Sequence, residues 1–276
     1  MTVPTQLRER VLTASLAARA SGRPVPAVAP IAASEALSRA AASFENLLAG
    51  LSDDDWTMPV LRDLDVQGLV GHLIGVERDV RRALAGDEAV ADIDHVVSTQ
   101  DAAEAQAGRP AAFTREEWRE AVDHMLRLVQ DGDERVISLH GMRLSVDALL
   151  VVRAFELWTH ENDIRLAVGA APSRPEASVL GLMTRLAVQL LPHAVSRCGI
   201  ASATALHLVL TGPGGGTYDL RLGAPQDEAH DLLLVVDAVD FCRLVANRVT
   251  PADLDLHVDG QGADGVLTAA ASLALD

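Results

Sequence analysis

The spacing of the apolar residues changes near residue 200 of this 276-residue chain. Before that point, apolar side chains recur every three to four residues over long segments, which is typical of amphipathic helices. After it, the runs ALHLVLTG and TYDLRLGA have the length and composition of strands and flank a Pro-Gly-Gly-Gly turn. The sequence therefore predicts an α+β protein, in which a four-helix bundle precedes a small domain of strands and helices.

The predicted segments divide the chain into three parts: an arm and linker at 1–30, the helical bundle at 31–199, and the α+β domain at 200–276. Helices of the bundle region are predicted over 31–51, the run VQGLVGHLIGVERDV after Asp63 or Asp65, 114–130, 144–168 and 176–198. The sequence TREE predicts a capping box at the start of the third of these helices. The polar stretch at 87–109 predicts a long loop with some helix, and the arm contains a predicted short helix over 5–19.

The charge and composition of the chain limit its partners. Its net charge of −16 opposes binding to nucleic acid or to anionic lipid. No apolar stretch approaches the length of a membrane span, and the N-terminal residues contain no apolar signal-peptide core. We therefore expect a cytoplasmic protein, monomeric or homodimeric, that acts on a small molecule. All 23 basic residues are arginine, which excludes lysine chemistry and indicates a GC-rich genome such as that of an actinobacterium.

Glu156 and His160 lie four residues apart in the apolar run VVRAFELWTHENDIRLAV, so both side chains fall on one face of the predicted helix. A carboxylate and an imidazole in such a segment need a partner, and a metal ion satisfies both. His72, in a second apolar helix, is our choice for a third ligand. Three protein ligands leave coordination positions open, and zinc is the preferred ion, although iron and nickel also suit these donors. The alternative is a surface Glu–His pair and a core histidine.

Other polar residues have weaker signals. Asp163 follows His160 by three residues and is placed to accept a hydrogen bond from the ring N–H of a ligand histidine. Arg153 precedes Glu156 by three residues and is placed to steer an anionic molecule or to neutralise a carboxylate; a solvated ion pair is the alternative for both. Seven histidines show no ligand spacing and are predicted to be solvated or in the core: His95, His124, His140, His193, His207, His230 and His257. Among them, His124 is expected to lie nearest to the site.

Two segments resemble the mycothiol-dependent maleylpyruvate isomerase family. DDDWTMPV followed by DLDVQGLVGHL resembles the start of that family's DinB-like bundle, where a tryptophan and a proline precede the helix with the first metal histidine. ELWTHENDIR resembles its second signature, in which the Glu and the His bind the metal. On this resemblance, His72, Glu156 and His160 are the metal ligands. LVLTGPGGGTYDLRLG and the later VVDAVDFCRLVANRVTPADLDLHVDGQ are similar to the family's sterol-carrier-like domain, so the resemblance covers 31–274.

The resemblance implies two cofactors, a divalent metal and mycothiol or a similar thiol. In such an isomerase the thiolate adds to an activated double bond and leaves after rotation; in an S-transferase it attacks an electrophile and stays attached. The substrate would be a small, anionic electrophile. Arg248 corresponds to the family's substrate-handling arginine and is assigned to catalysis and cofactor binding, Asp163 to catalysis, and Arg153 to cofactor binding.

The chain departs from the family pattern in two places, and two other functions are open. Asn247-Arg248 replaces the usual Gly-Arg, and DLDLHVDGQ replaces a segment that tends to contain Gly-Asp. The same residues would also suit a non-catalytic protein that binds a metal and an apolar ligand. A hydrolase that uses metal-bound water is the third possibility.

Overall fold

A computed structural model of the protein describes residues 28–133, 135–199, 205–222 and 231–274. The helix predicted over 5–19 lies outside the described residues. Within them, helices occupy the first part of the chain and a four-stranded sheet with two helices occupies the last part, so the predicted α+β class is confirmed.

Four long helices form the bundle, and a short helix and a fifth long helix pack against it. In chain order the six helices are α1 (Ala33–Ala49), α2 (Val66–Leu84), α3 (His95–Glu104), α4 (Ala111–Leu128), α5 (Val146–Ala167) and α6 (Ala177–Arg197). α1 packs against α5, and α2 packs against α4. The core between them includes Phe44 and Trp118, whose ring centroids are 4.8 Å apart.

The first residues of α2 and α4 show how neighbouring residues determine where a helix begins. Asp65 caps α2, because its side chain accepts a hydrogen bond of 2.7 Å from the backbone N–H of Gly68. The predicted capping box at TREE is wrong: α4 begins at Ala111 after Pro110, three residues before Thr114. Thr114 is buried within the helix, where its hydroxyl donates to Gln106 Oε1 at 2.9 Å instead of capping a helix end.

The stretch predicted as a long loop with some helix contains α3, which lies against α2 at very short range. Asp94 caps α3 by accepting from the backbone N–H groups of Val96 and Val97, both at 3.0 Å. A Cβ atom at Gly71 of α2 would come within 2.7–2.9 Å of α3 and the residues just after it, and one at Gly75 would meet Thr99 at 2.9–3.0 Å. The two helices can therefore approach this closely only because α2 has glycine at both positions.

Two short hairpins precede the helices α2 and α5. Strands β1 (Pro59–Leu61) and β2 (Leu64–Asp65) form the first, and β3 (Val136–Leu139) and β4 (Met142–Ser145) form the second. His140 and Gly141 make the two-residue turn of the second hairpin, and both have positive φ, 50° and 76°. Positive φ at both central residues is the geometry of a type I′ turn.

The C-terminal part is a four-stranded sheet with the strand order β6-β5-β7-β8. Its elements are β5 (Ala205–Thr211), β6 (Gly216–Arg221), β7 (Asp231–Asp237), α7 (Ala238–Val245), β8 (Leu256–Asp259) and α8 (Ala263–Ala271). β5 pairs antiparallel with β6 across the predicted Pro-Gly-Gly-Gly turn and parallel with β7. Both α7 and α8 pack against α6, which joins this part to the bundle.

By length and composition α6 could cross a membrane, the only such helix in the described residues. However, 56% of its most apolar window is buried inside the protein. A buried core helix can have the same length and composition, so α6 is weak evidence for a membrane span.

Candidate metal centre and adjoining cavity

One carboxylate oxygen is the meeting point of three histidines. Glu156 Oε1, on α5, lies 3.7 Å from His72 Nε2 on α2, 3.6 Å from His95 Nε2 at the start of α3, and 3.9 Å from His160 Nε2 one turn further along α5. The donor atoms of His72, His95 and Glu156 all lie within 4.8 Å of one another. The structure thus brings together the three predicted ligands and adds a fourth side chain, His95.

The prediction that His95 is an ordinary histidine outside the candidate site is wrong, whereas the side chain of His140 is that of a buried core histidine, as predicted. His95 is packed edge-to-face against the His72 ring with a centroid distance of 4.7 Å, and His140 lies directly behind it, 5.0 Å from the His95 ring. The expectation for His124 is also wrong, because it contacts Arg81 on the bundle surface. The sequence feature that could have pointed to His95 is the pair Gly71 and Gly75 on either side of His72. These two glycines allow α3, which begins with His95, to approach α2.

The hydrogen-bond partners of two histidines leave their Nε2 atoms without hydrogens. His160 Nδ1 lies 3.0 Å from Asp163 Oδ2, and an ionised carboxylate only accepts, so Nδ1 carries the hydrogen. This is the contact that the sequence predicted for Asp163. His72 Nδ1 lies 2.7 Å from Thr99 Oγ1, whose hydroxyl donates to the carbonyl of His95, so Nδ1 is again the donor. Both Nε2 lone pairs therefore face Glu156 Oε1.

These residues fit a metal cation. Glu156 Oε1 is buried, and no donor among the described residues gives it a hydrogen bond. Acceptor atoms repel one another unless a positive charge lies between them. Two donors bound to one zinc ion at about 2.1 Å are separated by at most about 4.2 Å, and the distances around Glu156 Oε1 are within that limit. The side chains around such a cation would be His72, His95 and Glu156, with His160 next to them on α5.

Burial keeps His72 and His95 in the neutral form that binds metals. It lowers the pKa of His95 to about 4 despite the nearby negative charge of Glu156, and it lowers the pKa of His72 in the same way. Both imidazoles are therefore uncharged near neutral pH.

Arg153 compensates the negative charge beneath the site. Its guanidinium is fully buried and pairs with Glu77 Oε1 at 2.7 Å and, through Nη1, with Glu156 Oε2. Burial opposes ionisation of Glu156, but the charge of Arg153 holds the pKa of that carboxyl well below its ordinary value. Burial raises the pKa of Glu77. Arg153 does not line the cavity described below, so the geometry favours the charge-neutralising role over contact with a cofactor.

Arg248 connects the C-terminal part to the metal centre. It follows α7 and forms a two-pronged ion pair with Asp163, with Nε–Oδ1 and Nη2–Oδ2 distances of 2.8 and 2.9 Å. Burial opposes ionisation of Asp163, but the hydrogen bonds from His160 and Arg248 lower its pKa. Asn247 has a φ of 54°, a region that glycine and asparagine adopt most readily. The Asn-Arg sequence therefore suits this turn as the family's Gly-Arg would.

A cavity of about 500 Å³ opens beside the metal centre, between the bundle and the C-terminal part. It is lined by Gly141, Met142, Arg143, Leu144, Val152, Phe155, Glu156, Thr159, His160, Leu186, Ala187, Leu190, His193, Arg197, Val245, Ala246, Arg248, Ser272, Leu273 and Ala274. Most of these side chains are apolar. Three of them are arginines, so the cavity suits a molecule with an apolar body and an anionic group.

Only two of the four clustered side chains line this cavity. Glu156 and His160 belong to its wall, whereas His72 and His95 do not. A small molecule in the cavity therefore reaches the cluster from the α5 side.

Comparisons with known proteins agree with this architecture. Residues 37–165 match the family model described as the mycothiol maleylpyruvate isomerase N-terminal domain. A crystal structure of the mycothiol-dependent maleylpyruvate isomerase is similar with a TM-score of 0.55 and 14% sequence identity, and covers 84% of this chain and 93% of that one. A mutant of that enzyme with one histidine replaced by alanine is similar with a TM-score of 0.55 and 13% identity, over 82% of this chain and 93% of that one. No curated protein sequence matches this chain.

Proposed function

Since residues 37–165 belong to the mycothiol maleylpyruvate isomerase family, we propose that the protein is a metal- and thiol-dependent enzyme. It would act as an isomerase or an S-transferase on a small electrophilic substrate, with mycothiol or a similar thiol as cosubstrate. The observation that carries this proposal is the convergence of His72, Glu156 and His160 beside a cavity large enough for a small molecule, whose wall includes Glu156 and His160.

The chain's own residues prepare the site for this chemistry. Asp163 fixes the tautomer and orientation of His160, and Arg153 balances the negative charge of Glu156. A divalent cation held by these ligands would lower the pKa of a bound thiol and so increase the fraction present as thiolate, the nucleophilic form. Zinc is our first choice of metal because it suits imidazole and carboxylate donors.

Substrate recognition is assigned to the cavity. The guanidinium of Arg248 lies at the wall that also contains His160, where it can bind an anionic group of the substrate while Asp163 holds it in place. Apolar side chains such as Leu144, Phe155 and Leu190 would contact the rest of the molecule and exclude water.

The chemistry does not need a nucleophile from the protein. No cysteine is among the residues that line the cavity, as far as the chain is described. Cys242 is buried, and burial raises the pKa of its thiol, which disfavours the thiolate. A thiol cosubstrate fits this arrangement. We further propose a cytoplasmic monomer or homodimer without a nucleic-acid or membrane partner, consistent with the net charge of −16.

Metal analysis and thiol-dependent turnover test the proposal. We expect about one divalent metal ion per chain in the purified protein and much less in His160→Ala, whereas His257→Ala, on the remote strand β8, should keep the wild-type content. Equal metal in His160→Ala and wild type would contradict the assignment. Maleylpyruvate and monochlorobimane, each with and without mycothiol, then test isomerase and transferase activity.

The apolar lining of the cavity favours one alternative, a non-catalytic protein that binds a metal and an apolar ligand. Metal binding without turnover of either substrate, together with saturable binding of an apolar dye, would support this alternative. Turnover of an ester in the absence of thiol would instead indicate hydrolysis.

A further inference from the structure

We propose that His95 is a fourth protein ligand of the metal and that His140 and Asp79 hold it in place. This goes beyond the three-ligand set that the sequence predicts. The inference depends on the proposed function only in that a metal ion binds at Glu156; it does not depend on the reaction or on the thiol.

The position of His95 is the first argument. Of the three imidazole nitrogens that face Glu156 Oε1, His95 Nε2 is the closest, at 3.6 Å. The His95 side chain is 10% exposed, similar to His72 at 8% and His160 at 10%. By distance and burial, His95 belongs to the cluster as fully as the two predicted histidines do.

A chain of hydrogen bonds fixes the tautomer of His95. Asp79 Oδ2 accepts from His140 Nε2 at 3.1 Å, because an ionised carboxylate cannot donate. In the neutral tautomer that donates to Asp79, His140 Nδ1 carries no hydrogen, and it lies 3.2 Å from His95 Nδ1. His95 Nδ1 must therefore carry the hydrogen, which leaves a lone pair on Nε2 directed at Glu156 Oε1. A carboxylate behind a histidine is the usual outer-shell support of a metal ligand.

The segments that contain these hydrogen-bonded residues are held in place by several contacts. His140 occupies a turn position with a φ of 50°, a region that non-glycine residues adopt uncommonly. Backbone hydrogen bonds from His140 to Val90 and from Gly141 to Ala91, at 3.0 and 2.7 Å, fix the hairpin tip against the segment before α3. Asp79 also accepts from Ser98 on α3. Strained backbone that is held by several contacts is typical of functional positions.

The fourth ligand changes which side of the metal is accessible. His95 does not belong to the cavity wall, which includes Glu156 and His160. A thiol or substrate would therefore approach only from the cavity side. A zinc ion held by four protein ligands would bind a thiol by expanding to five-coordinate, whereas iron, cobalt or nickel accept further ligands beside three imidazoles and a carboxylate more readily.

Zinc affinity and X-ray absorption test the inference without any activity assay. Metal-free wild type, His95→Ala, His140→Ala and the control His124→Ala are titrated with zinc against a chromophoric chelator. We expect His140→Ala to lose about 10–100-fold in affinity, as for other outer-shell changes, and His95→Ala to lose more than that. His124→Ala should match wild type, because His124 lies on the bundle surface.

The number of imidazoles bound to zinc decides between the outcomes. X-ray absorption should show three imidazoles in wild type and His140→Ala and two in His95→Ala. Two imidazoles in wild type, or an unchanged affinity in His95→Ala, would overturn the inference. The wild-type count does not require any variant to fold, and His95→Gln provides a substitution of similar size. If wild type binds no metal, the proposed function fails as well; if it binds metal through two imidazoles, only the role of His95 fails.

Discussion

Replacing Arg153 with methionine should destabilise the metal-free protein by about 3–5 kcal/mol, because two buried carboxylates would lose their cation. The Arg153 side chain is 1% exposed, and those of its partners Glu77 and Glu156 are 0% and 11% exposed. Water therefore cannot replace the guanidinium. Methionine has a similar length and fills the space without charge, so the change isolates the electrostatic effect.

The loss of stability in Arg153→Met should increase with pH. Without Arg153, burial would raise the pKa of Glu77 further above its value in the unfolded chain. A carboxyl with a raised folded-state pKa contributes a destabilisation that grows as the pH rises above its unfolded pKa of about 4.3. The difference between variant and wild type should thus be larger at pH 8 than at pH 5. The double variant Glu77→Gln/Arg153→Met should recover part of the stability.

Urea denaturation followed by tryptophan fluorescence measures these differences, since Trp56, Trp118 and Trp158 all lie in the bundle. Arg119→Met is the matched control, because Arg119 forms a partly exposed ion pair with Asp123 on α4. Exposed pairs contribute about 0–1 kcal/mol. If Arg153→Met shifts the unfolding free energy no more than Arg119→Met does, the role of Arg153 as the buried counter-charge is refuted.

Two further predictions concern pH and substrate binding. The metal-free protein should lose about 3 kcal/mol of stability as the pH falls from about 6.5 to about 4, because the unfolded chain takes up a proton at His95 before the folded one does. Urea midpoints across this pH range measure the loss. A His95→Leu variant whose stability falls equally steeply with pH would contradict the prediction. Arg248→Gln should lower thiol-dependent turnover roughly 10–100-fold, because a charged hydrogen bond contributes about 1.5–3 kcal/mol. Elemental analysis should find the metal content unchanged. A parallel loss of metal would make Arg248 a structural residue.

The long helices were predictable because their signals are local. The segment 144–168 was predicted as a helix, and α5 spans Val146–Ala167 with Ser145 as its cap. Apolar periodicity and capping residues act over a few positions, so a single sequence contains them. The i,i+4 spacing of Glu156 and His160 is local in the same sense. His72 lies on another helix; its apolar segment made it the choice for a third ligand, and the family resemblance supported that choice.

The residues that were missed depend on contacts between distant segments. The α3 sequence HVVSTQDAAE has little apolar periodicity, and the helix is positioned by its contact with the glycines of α2. His95 has no spacing relation to Glu156, since 61 residues separate them in the chain. His140 reaches the cluster through a hairpin turn, which the run VISLHGMRLS encodes only by its central His-Gly pair. Such relations appear only once the chain has folded.

The ion pair between Asp163 and Arg248 makes the two halves of the molecule interdependent. Arg248 belongs to the sheet-containing half, yet the Asp163 carboxylate that it pairs with also orients His160 of the helical half. A ligand anion that competes for this guanidinium would loosen its hold on Asp163. Occupancy of the cavity would thereby affect the imidazole of His160 through a single carboxylate.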